Sequence, residues 1–169
     1  MTGYLTDLPR LFRRAADHIE QFGHSQGWFC SPGLGIGDQP VDERPTCLVG
    51  AIAWAHTGSP VMRTDDEVCA EAIHFVSDHL PGTPPIFRKT GQPDYLNHIA
   101  HWNDATDRTP ADAVELLRTL APAAAYQAEA ELLCRYITEH DDHEPFFWDA
   151  KEQDRYRKEL AELHRTVAA

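Results

Sequence analysis

Residues 8–22 read LPRLFRRAADHIEQF, and the spacing of their apolar members decides the class of fold. Leu8, Leu11, Phe12, Ala15, Ala16, Ile19 and Phe22 recur at offsets of three and four, which lines them along one face of an α-helix. Gly23 follows as a C-terminal stop. The same grammar recurs downstream. Thr46 is the expected cap of a short helix, Cys47 to about Thr57, that is apolar nearly all round, so it belongs in a core, and Gly58 ends it. Thr64, Asp65, Asp66 and Glu67 read as a capping box for a helix that turns Cys69, Ala72, Ile73, Val76 and Leu80 inward before Pro81 and Gly82. A short helix from about Pro93 to Trp102 places Leu96, Ile99 and Ala100 on one side.

Thr109, Pro110 and Asp112 form a strong helix start. The helix they open runs through Val114, Leu117 and Leu120 until Pro122 interrupts it. The Ala-rich segment after Pro122 then resumes as a helix through Tyr126, Ala130, Leu133 and Ile137. After the polar link Glu139 to Glu144, the aromatic cluster Pro145 to Trp148 leads into a last helix with Tyr156, Leu160, Leu163 and Val167 inward. The fold class expected is all-α, a single domain of about seven helices over residues 1–169. The Gly/Pro-rich loop 24–45 leaves room for a short β-hairpin.

Composition narrows the function. Fifteen Lys and Arg against 27 Asp and Glu give a formal net charge of -12, which repels polyanions, so nucleic-acid binding is not expected. A positively charged or amine-bearing small molecule is the favoured ligand, with a protein partner or homo-oligomer as the other classes of contact. No run has the ~18 apolar residues of a membrane span, and the N-terminus lacks a secretory pattern, which points to the cytoplasm. The cysteines Cys30, Cys47, Cys69 and Cys134 form no CxxC pair and are expected to be free thiols.

Candidate chemistry centres on Cys47. A thiol in the first turn of a helix sits where unpaired backbone N–H groups favour the thiolate. His98 as base and Asp104 as orienting group would complete a nucleophilic set suited to acyl or amide chemistry. Gln26, Trp28, Trp54, His101, Trp102 and Asn103 are the substrate-binding candidates, lining an aromatic pocket. The bland alternative for Cys47 is a buried structural thiol on an apolar helix, and that alternative leads. His98 with His101, and the run His140 to Glu144, have ligand-like spacing, but HExxH is missing and no metal or cofactor is assigned. Gly33, Gly35 and Gly37 have no following Lys and read as loop flexibility rather than a phosphate cradle.

Three local patterns occur together: Ser25, Gln26, Gly27, Trp28 after the first helix; Cys47, Leu48, Val49, Gly50, Ala51 opening the buried one; and Trp102, Asn103, Asp104 with Thr109 beyond. In these the chain resembles an uncharacterised domain family of actinobacteria and their phages, over about residues 8–120. The resemblance implies that residues 121–169 are a C-terminal helical extension and that 24–46 is a longer loop than usual. It marks positions and brings no reaction. The functional expectation is a small enzyme of actinobacterial specialised metabolism acting in an acidic, aromatic pocket; a non-catalytic protein that binds a ligand or partner is its rival.

Overall fold

The computed structural model describes residues 7–30, 40–63, 65–139 and 150–168. Among them the chain is all-α, with helices α1 (Leu8–Phe22), α2 (Leu48–Thr57), α3 (Glu67–Asp78), α4 (Tyr95–Asn103), α5 (Pro110–Glu139) and α6 (Ala150–Ala168). The helix starts follow from local chemistry. Asp66 and Asp94 cap α3 and α4 by accepting from the backbone N–H groups of Cys69 and Asn97. The α3 cap is thus Asp66, and Thr64, expected to begin the capping box, lies outside the described residues. Thr109 and Asp112 form the reciprocal pair expected before α5, at 2.7 and 3.3 Å. That pairing holds the Asp112 carboxyl below its ordinary range. Gly58 ends α2 at φ 76°, a left-handed cap that a side chain would strain.

The core gathers the apolar stripe of α1 against α5. Leu8, Phe12, Ala15, Ala16 and Ile19 meet a face of α5 that carries Ala113, Leu117, Leu120, Ala121 and Ala124. The α2 helix is buried on almost every side, as its uniform apolarity requires. Phe75 of α3 closes the core against Phe12, ring centroids 5.6 Å apart.

One expectation about the second half of the chain is corrected. Pro122 does not divide the helix: α5 is continuous over 30 residues with Pro122 inside it. An interior proline costs about 3 kcal/mol, because it removes one N–H and crowds the carbonyl four residues back. Here Pro122 and Arg118 are both exposed, while Leu117, Leu120, Ala121 and Ala124 hold the opposite side in the core. Beyond Pro122, Tyr126 is 77%, Leu133 41% and Ile137 53% exposed. This part of α5 instead turns Ala128 and Tyr136 inward, and Tyr136 stacks edge-on against Tyr156 of α6 at 5.1 Å. The Tyr136 hydroxyl donates to Glu159, 3.0 Å away. Burial alone would raise the Glu159 carboxyl, but Arg155, Tyr136 and Arg135 outweigh it and hold the group below its ordinary range.

The loop between α1 and α2 shows isolated bridges, His24 with Thr46 and Cys30 with Thr46, and a 3-10 turn at Val41–Glu43, with no β-strand among the described residues. Residues 31–39, with the glycines of that loop, and 140–149, with the His140 to Glu144 run and the Pro145 to Trp148 aromatics, lie outside the described residues. None of the described helices is long and apolar enough to cross a membrane.

Candidate functional site

The loop after α1, the start of α2 and the end of α4 meet at one buried side chain. Asn103, the last residue of α4, is 2% exposed and all its amide capacity is used. Its Oδ1 accepts from the backbone N–H of Leu48 at 3.0 Å and from His24 Nε2 at 2.7 Å. Its Nδ2 donates to the Ser25 carbonyl at 3.2 Å and to Asp104 Oδ1 at 2.7 Å. The same Asp104 oxygen accepts from the Gly27 N–H at 2.9 Å. Gln26 returns the contact: its Nε2 donates to the carbonyls of Asn103 and Ala105, which α4 leaves unpaired at its end. The Ser25 to Gly27 segment is therefore fastened to the α4 C-terminus from both directions.

Cys47, not Thr46, is the N-cap of α2, and its Sγ accepts from Gly50 N–H at 3.3 Å while its own N–H donates to the Phe29 carbonyl at 3.2 Å. The thiol activation that a helix start can give is opposed here by burial. Burial pushes the Cys47 thiol up to about 11, and the neighbouring Asp104 charge adds to the rise; the Gly50 and Val49 N–H groups only partly oppose it. Desolvation of a thiolate outweighs one or two amide contacts. The His98 arm of the proposed set is also elsewhere. His98 Nδ1 accepts from the Ser77 hydroxyl at 2.7 Å and Nε2 donates to the Pro81 carbonyl at 3.2 Å, so both ring nitrogens are committed to joining α4 to α3. The arrangement does not assemble Cys47, His98 and Asp104 into a nucleophile, base and orienting group.

Of the substrate-binding candidates, Trp28 and Asn103 border an open cleft of about 630 Å³, together with Cys47 and Asp104. Phe29, Leu96 and Ala100 supply apolar walls, and Asp94 stands at the edge. Trp28 is 66% and Phe29 48% exposed, an unusual cost for two adjacent aromatics. Gln26 fastens the loop to the end of α4. Trp54 is turned toward α1, where it packs on His18 with ring centroids 4.3 Å apart. Trp102 is half-buried under the Arg108 guanidinium, 4.0 Å from its ring centre, and His101 is exposed on α4. Among the described residues no three His, Cys, Asp or Glu side chains gather as a metal ion would require.

Three participants escaped the sequence reading. His24 is the partner that completes the Asn103 oxygen, and nothing local distinguishes it from other loop histidines. Asp94 falls within the expected Pro93 to Trp102 helix and carried no signal of its own. Gly50 carried a visible signal: a glycine inside a buried helix loses about 1 kcal/mol of helix propensity to alanine and needs a reason. A Cβ there would lie 1.9 Å from the Phe29 carbonyl oxygen, so only glycine lets the loop reach the start of α2.

An all-α domain whose α2 start and α4 end are tied to one interhelical loop is the class of protein that these contacts define. The chain belongs to DUF6197, a family of unknown function, whose model matches residues 4–123. No curated protein and no solved structure matches it. The family match includes the whole Asn103 junction and ends within α5, one residue past Pro122.

Proposed function

We propose that the protein binds a small amphipathic cation in the cleft beneath Trp28, without covalent chemistry on Cys47. The observation that carries this reading is the pairing of exposed Trp28 and Phe29 with two carboxylates, Asp94 and Asp104, around one open apolar cleft. Each carboxylate commits one oxygen to the fold: Asp94 Oδ1 accepts from Asn97 N–H, and Asp104 Oδ1 from Gly27 N–H and Asn103. The second oxygen of each has no partner among the described residues. An ammonium group near them gains Coulomb attraction and the face of an indole, while an apolar body covers Phe29 and Leu96. A net charge of -12 steers such a ligand inward.

The test is calorimetric titration of the intact chain with aromatic and aliphatic amines, each matched to its neutral amide and to a carboxylate of the same shape. The amines are expected to bind at least about tenfold more tightly than their neutral partners, and Trp28→Ala to weaken them by a similar factor while leaving the helical spectrum unchanged. Equal binding of amines and neutral isosteres, or full affinity in Trp28→Ala, would sink the reading.

A further inference from the structure

The cleft beneath Trp28 has a neighbour. A second hollow of about 330 Å³ lies between α3, the start of α4 and the turn that precedes it, and its walls include Met62, Ala70, Ile73, His74, Phe87 and Tyr95. Asp94 and Leu96 border both hollows, so the two adjoin along the first turn of α4. Backbone pairing builds the far wall: Asp94 N–H donates to the Pro85 carbonyl at 2.7 Å and Phe87 N–H to the Gln92 carbonyl at 2.8 Å, which closes the turn that carries Phe87. Tyr95 is braced by His74, ring centroids 4.2 Å apart. Trp28, Phe29, Leu96 and Phe87 are all exposed, and each borders one hollow or both. Large apolar groups in water around two adjoining hollows, with a carboxylate in the wall they share, are the surface that an amphipathic ligand covers.

We infer that the ligand is a two-armed cation: a secondary or tertiary ammonium at Asp94, with a larger apolar arm beneath Trp28 and a smaller one that crosses Leu96 into the second hollow. This rests on the amine reading of the first cleft and extends it. The position of charge places the nitrogen. Asp94 Oδ1 is spent on the Asn97 N–H, while its other oxygen has no partner among the described residues, so the carboxylate common to both hollows stands where the arms would meet. Asp104 borders only the first cleft, and an ammonium held there would leave the second hollow unused. Volume assigns the arms, the first hollow at about 630 Å³ taking the bulkier group and the second at about 330 Å³ the lesser. Together they stay within the roughly 300–1,000 Å³ that one small molecule occupies.

Calorimetric titration of the full chain with naphthylethylamine, its N-benzyl derivative and an isomeric primary amine, which carries the same carbon atoms on one side of nitrogen, tests this. The N-benzyl amine is expected to bind at least about tenfold more tightly than either primary amine, the gain from burying a second ring. Phe87→Ala, at an exposed position, should remove most of that ratio with unchanged circular dichroism. Asp94→Asn keeps a side chain able to cap α4 but removes the charge, and should weaken the N-benzyl amine about tenfold. Trp28→Ala should weaken all the probes and preserve the ratio. Equal affinity of the N-benzyl and primary amines, with the Trp28 dependence intact, overturns this inference and leaves the single-cleft reading standing. A ratio unmoved by Phe87→Ala, or an N-benzyl amine indifferent to Asp94→Asn, overturns it as well. Failure of every amine to bind overturns both.

Discussion

The junction around Asn103 and the outer half of α5 are opposite solutions to the same problem of joining helices. At the junction, polar groups do the joining: one buried amide makes four hydrogen bonds to α2, to the interhelical loop and to its own neighbour, and Gly50 lets backbone touch backbone. Along outer α5 the joining is apolar, through Ala128 and Tyr136, and it covers only one side of the helix. Directional bonds admit one arrangement and fail sharply when a partner is removed. Apolar contact is tolerant, and surface left over from it remains available to another surface.

The largest expected effect tests the junction directly. Asn103→Ala leaves the Leu48 N–H, the His24 ring and the Ser25 carbonyl without their partner, and should lower stability in urea by about 3 kcal/mol, since each buried orphan costs about 1–3 kcal/mol. A loss below about 1 kcal/mol would show that water replaces the amide and that the junction is no tighter than the extension. Next comes the contrast between a cysteine in each region. Cys134 is exposed on outer α5, whereas burial pushes Cys47 up to about 11, so a thiol reagent at pH 8 should label Cys134 roughly 100-fold faster than Cys47. Comparable rates, read by peptide mass mapping, would reopen Cys47 as a reactive group.

Gly50→Ala should cost about 2 kcal/mol, because the added methyl collides with Phe29 backbone and forces the loop outward. Thermal denaturation would measure it, and an unchanged midpoint would mean that the loop shifts freely. The smallest effect concerns a buried polar group less well provided than Asn103. His18 is 1% exposed, stacked on Trp54, with Nε2 donating to the Arg44 carbonyl at 3.3 Å and no partner for Nδ1 among the described residues. Burial lowers its pKa below the ordinary 6.5, against the opposing pull of the Arg44 carbonyl and the Asp42 charge. The unfolded chain then binds the proton more readily than the folded one. Stability should be constant above pH 6.5 and decline as pH falls through 6.5 toward the lowered folded value. His18→Phe should flatten that decline between pH 7.5 and 5.5, and equal slopes in the two proteins would assign it to another group.

Much of the helical plan was legible because its signals are local. The offsets from Leu8 to Phe22, the Thr109 and Asp112 pair and the stops at Gly23 and Gly58 all act within a turn or two. Pro122 misled for a physical reason: its penalty is fixed, but whether it breaks a helix depends on what the opposite face buries, and α1 supplies that burial from a hundred residues away. The sequence left the burial of Tyr126, Leu133 and Ile137 open, since a helix apolar on two sides does not say which side the rest of the chain covers. At the candidate site the three motifs that include Trp28, Cys47 and Asn103 do converge on one cleft. His98, equally plausible by spacing, is turned toward Ser77.

The sequence by itself determined the helical class, the acidic charge and most helix limits, because period, caps and net charge are properties of near neighbours or of simple counts. Tertiary structure alone decided that Asn103 is a four-bond fastener, that the Cys47 thiol is held protonated and that one flank of α5 stays bare. Each of those depends on which distant groups remove water from a side chain, and burial of that kind is written in no single stretch of the chain.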